Sequence, residues 1–281
     1  MDAMASVEPR ASLASPPPGT VEAWCWELVA GTDLARKLAP PPAPAVWELD
    51  APPRRPSAPG RPRELVRLAR APRTPRSLAA PRARAALVHT FLHHELQAAE
   101  LFAWALLAFP ATPREFRAGL LRLCREELAH LALYARLLRA RGFAVGDFPV
   151  RDWFWERVAG VADELEFVAL MGLGLEGANL EHSARFARAF RAAGDEAGAR
   201  VLERVERDEV AHVAFARRWF ERWTGAPLEY ERWCRALPAP LTPAVLRGRP
   251  LNRAARARAG FDEAFLARLE AEPAATTRSR R

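Results

Sequence analysis

The stretch Asp208-Glu-Val-Ala-His212 is the second copy of a pattern that first occurs as Glu126-Glu-Leu-Ala-His130. In each copy an acidic residue precedes Glu-x-x-His, and on a helix two residues three positions apart project from the same face. Each copy also has an earlier glutamate. Glu95 precedes the first copy and Glu176 precedes the second, at almost the same separation in sequence. The repeat indicates an internal duplication of one helical unit.

The two units together bring four carboxylates and two imidazoles onto four helices. Dinuclear iron and manganese carboxylate bundles use this ligand set, in which two helices give one Glu each and two give Glu-x-x-His. Buried carboxylates without a counter-charge are costly, and coordinating a metal is one of the few ways to compensate such a cluster. The predicted metal ligands are Glu95, Glu127, His130, Glu176, Glu209 and His212.

Hairpin geometry gives a second test of the glutamates. In the first hairpin, Glu95 and Glu127 are equally far from a turn near residue 111, so at a rise of about 1.5 Å per residue they lie at one height. In the second, which turns near residue 194, Glu176 is slightly further from the turn than Glu209 is. Glu181, which is nearer to the turn, is at least as close in height to Glu209. The sequence therefore leaves Glu181 as an alternative to Glu176.

The acids that precede the ligand glutamates, Glu126 and Asp208, lie about 100° round the helix from them and cannot easily share a metal. We expect each to hold the free ring nitrogen of a ligating histidine on the neighbouring helix, the alternative being an ordinary surface acid. The other histidines are more typical of packed or hydrogen-bonded side chains than of ligands. They are His89, His93, His94 and His182.

Hydrophobic patterning and stop signals predict four long helices, over residues 83–109, 113–142, 161–193 and 195–224. An aromatic segment between Gly142 and Gly160 is too long for a tight turn and predicts a crossover packed on the helices. Two helical hairpins joined by one long connection have the ferritin-like order. We therefore predict an all-α fold, a ferritin-like four-helix bundle with one long crossover, plus Pro/Arg-rich N- and C-terminal extensions.

Proline and charge mark the extensions. Many of the 25 prolines fall before position 82. The stretch 85–225 has slightly fewer arginines than acidic side chains, so the net charge of +8 lies in the flanks. We predict a Pro-rich N-terminal extension with a short helix at 1–82, the dimetal bundle at 83–225 and a basic C-terminal extension at 226–281.

The basic flanks raise the question of a nucleic-acid partner. Arginines cluster over residues 61–76 and again over 247–258. Neither cluster carries interleaved aromatic residues for base stacking, and neither matches an RNA-binding module. The sequence therefore argues against a nucleic-acid partner and favours flanks that cover the bundle and close its pocket.

Cysteine usage and hydropathy bear on the compartment. The 3 cysteines are widely spaced and form no C-x-x-C pair, which fits a reducing compartment. The N-terminus has Asp2 and Glu8 and no continuous apolar run, and the apolar runs elsewhere are too short to span a bilayer. We expect a cytoplasmic protein with no membrane association.

In these motifs the chain resembles the ferritin-like family labelled domain of unknown function 455. The resemblance implies that the six residues named above are the metal ligands. More distantly, the bundle is similar to di-iron hydroxylases, including the tRNA-modifying kind, and to rubrerythrins, although a C-x-x-C electron-transfer module is missing from the sequence. The matching stretches are 94–101, 126–130, 146–150, 176–180 and 208–213.

These observations favour a di-iron oxidoreductase or oxygenase that holds two Fe (or Mn/Fe) ions. Such a protein would react with O₂ or peroxide and a small-molecule substrate, and a separate donor would supply its electrons. The alternatives are a non-catalytic iron-binding protein, a structural protein whose sites are relics, and a tRNA-hydroxylase-like RNA-modifying enzyme. The sequence assigns no catalytic residue beyond the ligands.

Overall fold

Helices make up the regular structure in the part of the chain that the computed structural model describes, which is residues 14–70, 75 and 77–273. Within those residues the nearest approach to a sheet is one isolated bridge between Arg67 and Val150. The predicted all-α class is confirmed. The α-helices are α1 (Val21–Ala30), α2 (Leu34–Leu38), α3 (Pro81–Ala108), α4 (Arg114–Arg139), α5 (Trp155–Val158), α6 (Glu164–Phe167), α7 (Gly177–Ala192), α8 (Glu196–Thr224), α9 (Tyr230–Ala236), α10 (Arg253–Arg258) and α11 (Glu263–Ala271).

The helices α3 and α4 form the first hairpin, and local sequence signals explain its ends. Pro81 stands in the first turn of α3, where its missing N–H leaves no hydrogen bond unmade. Pro110 follows the end of α3 and cannot continue it. Every residue of α3 from 98 to 108 is buried. The reason is that both α1 and α4 pack against α3. This helix therefore carries its polar side chains into the interior, where each needs a partner.

The second hairpin is formed by α7 and α8. The Asp195 side chain caps α8 by accepting a hydrogen bond from the Gly198 N–H. Gly225 ends α8 in the left-handed conformation, with φ of 66°, which glycine adopts without steric cost. The predicted bounds of this helix are therefore confirmed to within a residue.

The region before α7 differs from the continuous helix predicted over 161–193. A π-helix over Val168–Glu176 connects α6 to α7, and residues 161–163 lie outside helical structure. This segment lies close against α8 at Gly172. A Cβ atom on Gly172 would lie 2.2 Å from the Cβ of Ala216 in α8, so only glycine fits there. The wider π-helix ends at Glu176, and segments of this kind are frequent at functional sites.

A polar layer divides the apolar interior. One buried cluster contains the C-terminal half of α3 and the N-terminal half of α4, and it extends to Phe220 of α8. The other contains the opposite halves of these helices, from Leu87 on α3 to Val205 on α8. On α4 and α8 the buried glutamates and histidines lie between the two clusters in sequence, and on α3 Glu95 lies beside their junction at residues 96–98. These side chains therefore meet at one level of the core.

The flanking segments are attached to the helices by buried ion pairs. Lys37 Nζ and Arg61 Nη1 each lie 2.6 Å from Glu100 Oε1 on α3. In the C-terminal segment, Arg256 of α10 donates from Nε and Nη2 to Glu181 of α7, over 2.8 and 2.9 Å. Since all of these side chains are buried, the flanks cover the helices. The division of the chain at residues 82 and 225 stays a prediction.

None of the helices in the described part of the chain combines the length and the apolar content that a membrane crossing requires.

Candidate metal centre

The polar layer brings together all six side chains that the sequence singled out. Glu95 comes from α3, Glu127 and His130 from α4, Glu176 from the last position of the π-helix, and Glu209 and His212 from α8. All six are buried, none being more than 4% exposed. They form two groups whose donor atoms lie within 4.8 Å of one another, and each group could hold a metal ion. The groups are Glu95, Glu127, His130 and Glu209, and Glu127, Glu176, Glu209 and His212.

Glu127 occupies the middle of this arrangement. Its Oε2 lies 3.4 Å from Nδ1 of His130, and its Oε1 lies 2.8 Å from Nδ1 of His212. The carboxylate therefore turns one oxygen toward each histidine. Each histidine also lies near a second carboxylate. Glu209 Oε2 lies 3.1 Å from Nδ1 of His212. Glu95 Oε2 lies 3.7 Å from Nδ1 of His130.

Both histidines are oriented by an acid from the opposite helix. Nε2 of His130 lies 3.3 Å from Asp208 Oδ2, and Nε2 of His212 lies 2.8 Å from Glu126 Oε2. A carboxylate can only accept, so the Nε2–H groups donate and the Nδ1 atoms face the cluster. The structure thus contains both contacts that were predicted for Glu126 and Asp208. The pairing crosses between α4 and α8 in both directions, which repeats the duplication seen in the sequence.

The donor atoms fit a cation. Buried polar groups normally find hydrogen-bond partners, and a buried acceptor left without one costs about 1–3 kcal/mol. With the ring protons of both histidines on Nε2, several acceptors of this cluster face one another with no donor among them, and a metal ion would satisfy them all at once. These atoms are Glu127 Oε1 and Oε2, His130 Nδ1, Glu176 Oε1, Glu209 Oε2 and His212 Nδ1.

Without a metal, protons balance the charge of this site. Burial raises the pKa of Glu95 well above its usual value, and the negative charge of Glu127 adds to this. Burial and the charge of Glu209 do the same to the pKa of Glu176. Burial alone would lower the pKa of His130, but Glu127 and Glu95 outweigh it and raise this pKa to about 12. At neutral pH, therefore, protons occupy positions that a metal would take.

Metal binding should for this reason release protons, and the affinity should rise with pH. The sign follows because a group with a raised pKa holds its proton in the metal-free state at pH 7 and must lose it to coordinate. Calorimetric titration of the metal-free protein with Mn²⁺, in two buffers of different ionisation enthalpy, measures the release. His130→Ala should release fewer protons than the parent protein. Equal heats in the two buffers would contradict this assignment of the protons.

The histidine partners should tune the affinity. Glu126→Ala or Asp208→Ala removes the acceptor that fixes one imidazole, and such partners are worth about 10- to 100-fold in metal affinity. Competition against a chelating indicator measures the change. Glu196→Ala, an exposed acid on α8, is the matched control and should bind metal as the parent does. If the two partner variants also kept the parent affinity, the acids would only be surface groups.

The structure places the remaining candidates away from the cluster. Glu181 is held by Arg256 and also accepts from the Gly248 N–H at 3.0 Å, so Glu176 is the glutamate of this segment that joins the site. His93 Nε2 pairs with Asp152 at 3.0 Å, and His89 Nε2 accepts from the Gly146 N–H at 2.9 Å. As predicted, neither histidine is part of the cluster.

Asn179 is a residue that the sequence reasoning missed. Its amide Nδ2 donates to Glu209 Oε1 over 3.0 Å, and its Oδ1 accepts from the hydroxyl of Ser183. This hydrogen bond holds in place the carboxylate of Glu209, which belongs to both candidate metal groups. The signal was present in the sequence, because Asn179 follows Glu176 by three positions and so shares its side of the helix.

A cavity of about 350 Å³ adjoins the cluster. It is bordered by Glu95 and Glu176, one from each metal group, and by side chains of α3, α7 and the crossover. A cavity of this size can take a small molecule. The arrangement can therefore hold metal ions beside a space for a ligand.

Comparison with known proteins gives a family and a distant relative. The sequence model of the family described as "Protein of unknown function (DUF455)" matches residues 27–267. An uncharacterized protein of Haemophilus influenzae is 29% identical over 153 residues, which cover 52% of this chain and 53% of that protein. The chain thus spans about half the length of this curated relative. No solved structure matches the chain.

Proposed function

We propose that this chain, which belongs to the DUF455 family of proteins of unknown function, is a dinuclear metal oxidoreductase with a ferritin-like four-helix bundle. The fold supports the proposal because four helical segments give the ligands in the pattern of that bundle, Glu from two and Glu-x-x-His from two. The crossover between α4 and α7 supports the same connectivity.

One observation carries the proposal: Glu127 and Glu209 are common to both four-residue groups. Each group adds one further glutamate and one histidine of its own. Two metal ions, one held by each group, would use every donor in the cluster, with Glu127 and Glu209 available to both. Nothing in the donor set favours manganese over iron, so two Fe or one Mn and one Fe both fit.

When bound, a pair of such ions supplies redox chemistry with O₂ or peroxide. Within the chain, Glu126 and Asp208 orient the two histidines and Asn179 holds Glu209. Apolar and aromatic side chains form much of the adjoining cavity wall. If the substrate is hydroxylated at a C–H bond, the overall reaction would consume O₂, two electrons and two protons and would release water. A separate electron donor would have to supply the electrons, since the sequence contains no C-x-x-C module.

The cavity favours an enzyme over an iron store. An iron store needs ligands and a route to a mineral core, whereas a space of about 350 Å³ bordered by Glu95 and Glu176 suits a substrate.

The buried arginines of the two flanks favour a small-molecule substrate over RNA. The buried side chain of Arg61 pairs with Glu100, and that of Arg256 pairs with Glu181. These two arginines are therefore not free to contact phosphates. Two further arginines of the N-terminal cluster, Arg73 and Arg76, lie outside the described residues.

Reaction of the Fe(II)-loaded protein with O₂ tests the proposal. Rapid mixing should oxidise the bound iron faster than free Fe(II) in the same buffer, with about one O₂ consumed per two Fe(II) in a dinuclear site. Repeated cycles of reduction and oxidation with excess Fe(II) should leave the retained iron constant, whereas a store would accumulate it. Iron that oxidises no faster than in buffer would contradict the oxidoreductase.

A further inference from the structure

The cavity beside the metal centre has one apolar interior and two polar ends. It lies between α3 and α7 and is roofed by residues 149–154 of the crossover. The inner end is formed by Glu95 and Glu176. The walls are mainly apolar and aromatic, and include Leu87, Phe91, Tyr134, Phe154, Leu175 and Phe186.

The polar lining of α7 runs from the metal centre to the outer end. Glu176, Asn179, His182 and Arg185 follow one another at every third position, and all four line the cavity. At about 1.5 Å per residue, Arg185 lies about 13 Å along the helix axis from Glu176. The Arg185 guanidinium carbon lies 4.5 Å from the centre of the Phe186 ring, so the side chain lies over the aromatic wall.

Arg185 provides the positive charge of the outer end. The other arginine in the lining, Arg151, is paired with Glu156 at 2.9 Å. Among the residues that the structure describes, Arg185 forms no ion pair, and its guanidinium lies over the Phe186 ring. His182 adds no charge at neutral pH, because burial lowers its pKa to about 4 and Arg185 adds to this. One exposed guanidinium thus borders the cavity, with no counter-ion among the described residues.

We propose that this cavity binds an elongated organic monocarboxylate. The apolar body lies between the aromatic walls, the carboxylate pairs with Arg185, and the opposite end reaches Glu95 and Glu176. A single guanidinium suits a single negative charge, and its fork of N–H donors matches a carboxylate. The inference deepens the proposed function, on which it rests for the chemistry: the position oxidised would lie far from the carboxylate.

Binding of matched ligands to the metal-loaded full-length protein tests the proposal. The probes are phenyl-substituted straight-chain carboxylates with two to eight chain carbons, compared with the corresponding alcohols. Quenching of tryptophan fluorescence reports binding, because Trp153 lines the cavity. The carboxylates should bind more tightly than the alcohols. Arg185→Gln should weaken the carboxylates by about 10-fold or more and leave the alcohols unchanged.

Arg188→Gln is the matched control. Arg188 is an exposed arginine one turn further along α7 and is not part of the lining, so its replacement should change neither class of probe. Three results would overturn the inference: no binding by any member of the series, equal binding of acids and alcohols, or carboxylate affinity that Arg185→Gln leaves unchanged. The last would mean that the carboxylate binds elsewhere, including at the metals.

The same preparations separate this inference from the proposed function. Metal content and O₂ reactivity are measured on each variant beside the binding assay. If carboxylates bind through Arg185 but the protein does not react with O₂, the binding site stands and the proposed oxidoreductase activity is wrong. If the dinuclear protein reacts with O₂ but binds no carboxylate, the oxidoreductase activity stands and the binding site is wrong.

Discussion

Glu127→Ala should abolish binding of both metal ions, whereas His130→Ala should remove one. The carboxylate of Glu127 belongs to both four-residue groups and turns one oxygen toward His130 and the other toward His212. Its loss removes a ligand from each ion, while His130 belongs to one group only. Elemental analysis after loading with Fe(II) and removal of loose metal measures the difference.

The control for this pair is Glu115→Ala. Glu115 is a 76% exposed acid on the same helix, and its replacement should leave the metal content unchanged. Circular dichroism of each variant confirms that the helices are present. A Glu127→Ala protein that retained one tightly bound ion would show that this carboxylate is not shared.

Glu100→Gln should lower the free energy of unfolding by about 3–5 kcal/mol, because it leaves the buried Lys37 without its acidic partner. Glu100 is 0% exposed and lies 2.6 Å from both Lys37 and Arg61, which are 1% and 5% exposed. Glutamine preserves the volume but removes the negative charge between two cations. Urea denaturation of the metal-free protein measures the loss.

Two comparisons sharpen this prediction. Glu27→Gln breaks an exposed pair with Arg36, the Glu27 side chain being 68% exposed, and should cost about 0–1 kcal/mol. Lys37→Met added to Glu100→Gln should recover part of the loss, because it removes the buried charge that has lost its acid, whereas Arg61 still pairs with Asp152 at 2.9 Å. Equal effects of Glu100→Gln and Glu27→Gln would show that the buried group contributes no more than a surface pair.

Local signals explain why so much of the helical structure could be predicted. Glycine at 194 and 225 and the Asp195 cap act through the backbone next to them, so the ends of α8 follow from its own sequence. The residues of the buried cluster could also be predicted, because Glu-x-x-His sets two donors on one face of a helix and the duplication repeats that spacing. Neither inference needed knowledge of distant contacts.

The π-helix could not be predicted in the same way. Residues 168–175 are apolar and show no period that separates a π-helix from an α-helix. The close contact that this segment makes at Gly172 is with Ala216 on another helix, so it also leaves no local pattern in the sequence. For this reason a uniform rise per residue could not choose between Glu176 and Glu181.

Glu181 illustrates the same limit. Its partner, Arg256, is 75 residues away in a segment that the sequence marked only as basic. Lys37 and Glu100 are likewise 63 residues apart. Ion pairs between distant segments leave no local pattern, so the attachment of the flanks had to come from the structure.

The count of metal ions in the Fe(II)-reconstituted protein tests the central claim most directly. Two groups that share Glu127 and Glu209 predict about two ions per chain after loose metal is removed, as in dinuclear carboxylate bundles. A protein that binds no iron, or that saturates at one ion per chain with all six donors intact, would contradict the dinuclear centre.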